Sequence, residues 1–304
     1  MRIWTENGTP VDIFQENKAL FMDLTSAYFF GLKNASNLTE DPDKKIVLRN
    51  FELGFSDVFW RLDVPNLTKL MAFFGMSPLS EGILPAYQAM EDFILSLANQ
   101  ARDTLQSGEV SNSESYPTLY AQLRQKLEAS KTIPPEQLDA VVAAEMLDHI
   151  GASHEALSVT VTYLILYPPG TGPFTRQVPE KGATIGLYSV PGGTTVGASP
   201  YTLHRNSQVF PNPLDWSPDR WLDATPEVKK EMMRWYWVFG SGGRMCIGNH
   251  LAIRLMKAVV VAVFKEFESV EVPETRIEHV EGLIGHPVDH SVVLAFKKPE
   301  FIAS

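Results

Sequence analysis

One cysteine, Cys246, occurs in 304 residues, which excludes a disulfide framework. Positive charge is also scarce. The 26 Lys and Arg face 36 Asp and Glu, a net charge of −10, and no basic block interrupts that balance. A nucleic-acid partner is therefore not expected. Long apolar runs are missing too: Leu251–Phe264 is too short to cross a bilayer and carries Arg254 and Lys257, so no membrane span is expected. The first residues, Met1–Gly8, turn polar at once and do not read as a signal peptide. There is no internal repeat and no low-complexity tract. What is present is a chain that is 44% hydrophobic, able to bury a large core, with a length that admits one or two domains.

The single thiol stands in an informative place. The segment reads Phe239-Gly-Ser-Gly242-Gly-Arg244-Met-Cys246-Ile-Gly248. An apolar run at helical spacing follows, through Leu251, Leu255, Val259, Val263 and Phe267. A helix N-terminus favours a thiolate, the form in which sulfur ligates a metal. Gly240, Gly242 and Gly243 let the backbone turn tightly enough to aim amide N–H groups at the sulfur. Arg244 offers the planar fork that binds carboxylates. A lone cysteine is more often a small buried hydrophobe, and Gly-Ser-Gly-Gly alone resembles a phosphate loop. No Gly-Lys-Ser/Thr follows it, however, and no nucleotide fingerprint surrounds it.

Taken together, the segment resembles the heme-binding loop of the cytochrome P-450 family, Phe-x-x-Gly-x-Arg-x-Cys-x-Gly, with every fixed position filled. The resemblance implies heme b as cofactor, with Cys246 as the axial thiolate on iron. Arg244 would contact a propionate, Phe239 would shield the iron–sulfur bond, and Gly248 would open the helix beneath. The implied fold is mainly α with a small β region (α+β), an incomplete single domain over 1–304. Its helical part covers 1–166, with the oxygen-binding helix at about 135–166. The β and meander part covers 167–222, and the heme loop and proximal helix lie in 235–304.

Elsewhere the pattern supports this layout. Pro10–Gly31 reads as a helix with Phe14, Leu20, Phe21, Leu24 and Tyr28 on one face, ending at the glycine. Two or three helices are expected between Ile46 and Gly108, and another up to Ser130. Pro134-Pro135-Glu136 is a helix start signal opening a long helix to Leu166. Within it, Gly151-Ala152-Ser153-His154-Glu155-Ala156-Leu157 resembles the family's oxygen-binding segment, Ala/Gly-Gly-x-Asp/Glu-Thr-Thr/Ser. Glu155 is then the candidate acid for proton relay, but Ala156 replaces the usual threonine, so Ser153 or a water would stand in for its hydroxyl.

Beyond Leu166 the chain turns extended. Leu166-Tyr-Pro-Pro-Gly170 breaks any helix, and Thr184–Tyr188, Val190–Val196 and Tyr201–Arg205 read as strands joined by tight turns. Arg176 and His204 match family positions near the heme propionates. Phe210-Pro-Asn-Pro213 and Trp216-Ser-Pro218-Asp-Arg220-Trp221 resemble the family's meander, and Asp223–Arg234 reads as a charged exposed helix or turn.

Two departures stand against these matches. The family carries a membrane anchor, first helices and sheet strands ahead of the point where this sequence starts. It also carries a helix with Glu-x-x-Arg between the oxygen-binding helix and the Tyr-Pro-Pro segment, which here follow each other directly. The one Glu-x-x-Arg match, Glu231–Arg234, lies in the meander. Arg220 would thus lose its family ion partner and have to reach solvent, find another acid such as Asp219 or Glu231, or leave the loop loosely held.

Two function classes follow. One is a heme-thiolate monooxygenase oxidising a lipophilic small molecule, with O2 and electrons from an NADPH-dependent flavoprotein reductase. The other is a catalytically inactive truncated remnant, or a heme-binding or interaction protein. The resemblance implies the cytosolic face of the endoplasmic reticulum; a chain without an anchor would lie in the cytoplasm.

Overall fold

The computed structural model describes residues 8–108, 115–166, 174–280 and 284–299. Helices dominate it, with four small antiparallel sheets among the described residues. The first helix, α1 (Ile13–Phe30), starts where the Asp12 carboxylate accepts the amides of Phe14 and Gln15 at 3.1 and 3.3 Å, supplying partners for two of the free N–H groups of a first turn. It stops at Gly31, whose φ of +89° is left-handed and where a Cβ would lie 2.5 Å from the Ser115 carbonyl oxygen. Any other residue would be strained there.

Four helices, not two or three, fill the next stretch: α2 (Ile46–Ser56), α3 (Val58–Leu62), α4 (Pro65–Phe73) and α5 (Ile83–Ser107). Pro65 at the first position of α4 explains the extra break. Helix α6 (Thr118–Ser130) follows. A 3-10 turn at Pro135–Gln137 then leads into α7 (Leu138–Leu166), the longest helix described. The sequence expectation for 167–173 lies outside the described residues.

Helix α7 runs through two separate cores. Its first half puts Val142, Met146 and Ile150 against Met22, Phe29 and Phe30 of α1, Phe51 of α2, and Ile94 and Leu97 of α5. Its second half puts Leu157, Val161 and Tyr163 with Phe14 and Phe21 of α1 and the C-terminal Val292, Leu294 and Phe296. Each fully buried apolar side chain of this size stabilises the fold by about 1.5–3 kcal/mol. The segment 151–156 lies at the seam between the cores.

Past α7, strands β2 (Phe174–Gln177) and β5 (Thr195–Ala198) pair with Arg176 opposite Val196. Between them β3 (Ala183–Ile185) and β4 (Tyr188–Val190) form a hairpin. The strand expected at Tyr201–Arg205 is instead a short helix, α8 (Pro200–His204). Pro200 at its first position pre-sets a helical φ and lacks the N–H a ladder would use. After α9 (Asp219–Leu222), α10 (Pro226–Trp235) is capped by Thr225, as the charged sequence suggests. Helix α11 (Asn249–Phe264) precedes β6 (Glu268–Glu271).

Sequence reading found no strands in this last part. In the structure β9 (Val293–Lys297) pairs with β6 on one side and with β1 (Val11–Asp12) on the other. Two further short strands, β7 (His279–Val280) and β8 (His286–Pro287), pair with each other. The alternation of Val292, Leu294 and Phe296, all buried, is the period-two signal that marks β9.

Candidate functional site

The loop around Cys246 is shaped by its own backbone. Gly240 and Gly242 adopt φ of +72° and +70°, values open to glycine without strain. The Gly240 amide donates to the Trp237 carbonyl at 3.0 Å and the Met245 amide to that of Gly242 at 3.1 Å. The Cys246 amide then donates to the Phe239 carbonyl at 2.8 Å, closing the loop. The Ala252 amide donates to the Gly248 carbonyl at 2.8 Å as α11 begins. A Cβ on Gly248 would stand 3.8 Å from the sulfur, so the thiol lies against the first turn of the helix. Cys246 is free and exposed; Arg244 is exposed and Phe239 half-buried.

The entry to the loop is braced by His204 of α8. Its Nε2 accepts the Trp237 amide at 2.9 Å, and its ring stacks on Tyr236 at 5.7 Å. Tyr236 meets the edge of Trp221, which in turn contacts Phe210. Burial, with the Arg205 charge adding, holds the His204 imidazole below the usual range. Only Nδ1 is left to face another group. Arg176 is exposed on β2 and donates to its neighbour's carbonyl at 2.7 Å.

Arg220 resolves its missing ion partner in a way sequence reasoning did not foresee. Its guanidinium donates to four backbone carbonyls, those of Ser217, Pro211, Asn212 and Asp215, at 2.9–3.1 Å. Five donors in a rigid fork suit such a cage. Glu231 is engaged elsewhere, by Arg234 at 2.7 Å and the Trp235 indole at 2.9 Å.

On α7 the expected segment divides into two faces. Ala152, Ala156 and Thr160 are exposed at four-residue spacing, and the Thr160 hydroxyl donates to the Ala156 carbonyl at 2.7 Å. Ser153 is tied to the Ile150 carbonyl at 3.2 Å. Glu155 points the other way and is buried. Its carboxylate lies 3.0 Å from the ammonium of Lys18 on α1, which also contacts Glu52 of α2 at 2.8 Å. None of these partners belongs to the loop. Lys18 and Glu52 were missed in the sequence, and His154 was read only as part of the segment. The available signal was a lysine at core spacing, between Phe14 and Phe21, on the apolar face of α1.

Comparison with known proteins bears on this geometry. A sequence model of the family described as Cytochrome P450 matches residues 166–290. A cytochrome P450 monooxygenase of Aspergillus terreus is 31% identical over 179 residues, 57% of this chain and 36% of the relative. One of Aspergillus niger is 35% identical over 162 residues, 53% of this chain and 30% of the relative. One of Sordaria araneosa is 41% identical over 106 residues, 34% of this chain and 19% of the relative. The matched part thus spans about a third or less of these curated relatives. Among solved structures, a cytochrome P450 heme domain superposes with a TM-score of 0.68 at 15% identity, covering 96% of this chain and 69% of that one. The fold of that heme domain is shared across nearly the whole chain, and the stretch similar to the Cytochrome P450 family model, residues 166–290, includes the Cys246 loop.

Proposed function

We propose that the protein is a heme-thiolate monooxygenase that oxidises a lipophilic small molecule with O2 and electrons from an NADPH-dependent flavoprotein reductase. One observation carries the reading: a free, exposed thiol in a loop closed by its own amide, lying against the first turn of a helix. The donor set fits heme iron, which takes a thiolate as axial ligand. Bound there, the heme would supply oxygen activation, which a thiolate ligand promotes.

The chain's own residues would do the rest. Cys246 would hold the iron as its thiolate ligand. Arg244, with Arg176 and the Nδ1 of His204, would pair with propionates. Phe239 keeps water from the sulfur. The exposed small face of Ala152 and Ala156 offers a flat surface to a ring system, with the Thr160 hydroxyl one turn on. Glu155 stays the candidate proton source, but its carboxylate is held by Lys18.

That hold, with Ala156 where the family has a hydroxyl, favours a second reading: a protein that binds heme without turning over substrate. Loading the chain with hemin and recording the carbon-monoxide difference spectrum of the reduced form tests the ligand. The thiolate-type Soret band is expected and should vanish in Cys246→Ser; an unchanged band in that variant sinks the assignment. NADPH consumption with a fungal reductase then separates the two readings. Among the described residues no helix is long and apolar enough to cross a membrane.

A further inference from the structure

Lys18, Glu52, Glu155 and His154 meet where α1, α2 and α7 cross, and their charges do not balance. The Lys18 ammonium is fully buried, 2.8 Å from Glu52 Oε1 and 3.0 Å from Glu155 Oε2. One cation therefore serves two carboxylates. Gln15 donates its amide to Glu52 at 3.0 Å but brings no charge. His290, from the turn before β9, places Nδ1 3.9 Å from the same Glu52 oxygen. Burial, and the His286 ring stacked on it at 4.0 Å, hold the His290 imidazole below the usual range. Of the neighbouring charged groups, Glu16 pairs with Lys45 at 2.6 Å and Asp289 with Arg276 at 3.6 Å, while Arg49 on α2 and Glu145 on α7 are exposed. Asp12 accepts the α1 cap amides.

His154 sharpens the deficit. Its Nδ1 lies 2.9 Å from the Ile150 carbonyl oxygen. A carbonyl only accepts, so Nδ1 carries a proton, and in a neutral ring Nε2 is then a bare lone pair. That lone pair sits 3.6 Å from Glu155 Oε2. Both atoms are buried; Nε2 has no hydrogen-bond partner, and Oε2 has none beyond its ion contact with Lys18, the cation it shares with Glu52. Two acceptors facing each other in an apolar seam, beside an excess negative charge, is an arrangement that folding penalises. One added proton between them supplies the missing donor and balances the charge.

We propose that Glu155 and His154 hold one shared proton at neutral pH, so that this pair is a loaded proton reserve on α7. Burial, with the Lys18 charge, holds the His154 imidazole below its usual range, against the pull of Glu155 and Glu52 towards the charged ring; the geometry, with its two facing acceptors, is what calls for the proton. Glu52 and the part-exposed His290 connect the cluster toward solvent, a route for reloading. The use of this proton in oxygen chemistry rests on the monooxygenase reading; its presence does not.

The competing account is a water that donates one hydrogen to each acceptor, leaving the ring neutral and the carboxylate ionised. Magnetic resonance of the full chain without heme, labelled with nitrogen-15 histidine and carboxyl carbon-13 glutamate, decides between them at about pH 7. His154→Gln and Glu155→Gln assign the two signals. If either variant does not fold, the through-space contact to Ile150 assigns His154 in the wild-type chain. A second proton on the His154 ring or a protonated Glu155 carboxyl is expected. His154 protonated on Nδ1 alone, beside an ionised Glu155, overturns the proposal. Neither result depends on whether Cys246 binds heme.

Discussion

Lys18→Met keeps the apolar stem of the side chain and removes its ammonium. In the native chain that group is fully buried and compensates Glu52 and Glu155, whose side chains are 17% and 6% exposed. Removing one partner of a buried ion pair costs about 3–5 kcal/mol, a large share of the roughly 5–15 kcal/mol that holds a typical domain. For 304 residues, at about 2.1 cal/mol/K of unfolding entropy per residue, that lowers the melting temperature by about 5–8 °C. The pH dependence gives a sharper check. In the native protein burial pushes the Glu52 carboxyl up, but Lys18, with the Gln15 amide, outweighs this and leaves it below its ordinary value. Such a group adds stability above the unfolded carboxylate pKa of about 4.3, and loses it as pH falls through the lower folded value. Without Lys18 the sign reverses: burial then raises the Glu52 carboxyl, and the variant gains on the wild type as pH falls from neutral. Urea midpoints at about pH 7 and pH 5 measure the gap, which should narrow at the lower pH. A gap below about 1 kcal/mol at neutral pH, or one that does not narrow, refutes the reasoning.

Arg220→Lys keeps the charge, but one ammonium cannot reach carbonyls spread from Pro211 to Asp215 and Ser217 at once. It should cost about 1–3 kcal/mol, with faster amide exchange confined to the meander; unchanged exchange there would mean the cage holds nothing. For His204 the folded pKa is depressed, so its contribution is complete above the unfolded value of about 6.5 and lost as pH falls through the folded one. A protonated Nε2 cannot accept the Trp237 amide. Exchange at that amide should therefore quicken on acidification, and His204→Ala should make it fast at every pH.

The helices were legible because their signals are local. Asp12 and Gly31 bracket α1, and the proline pair announces α7. The Cys246 loop was legible for the same reason: its turns and its closing bond lie within about ten residues. What escaped reading depends on partners far along the chain. Strand β1 is only two residues long and exists because β9 lies beside it. Tyr201–Arg205 carries strand-forming residues, but Pro200 decides the backbone. Arg220 looked stripped of a partner because the search was for an acid, whereas backbone carbonyls carry no sequence signature. The direction of Glu155 was settled by Lys18, 137 positions earlier, together with Glu52, and no spacing rule connects them.

The hydrogen bond from the Val292 amide to the Asp12 carboxylate joins residues 280 positions apart. Synthesis runs from the N-terminus, and contacts of such separation close late. During translation α1 can meet α2, α5 and the first half of α7 early. The face bearing Phe14 and Phe21 must wait for Val292, Leu294 and Phe296 to leave the ribosome. A nascent chain therefore carries a half-covered helix, sticky on one side, until about 280 further residues have been made, and that side is where a chaperone would find it.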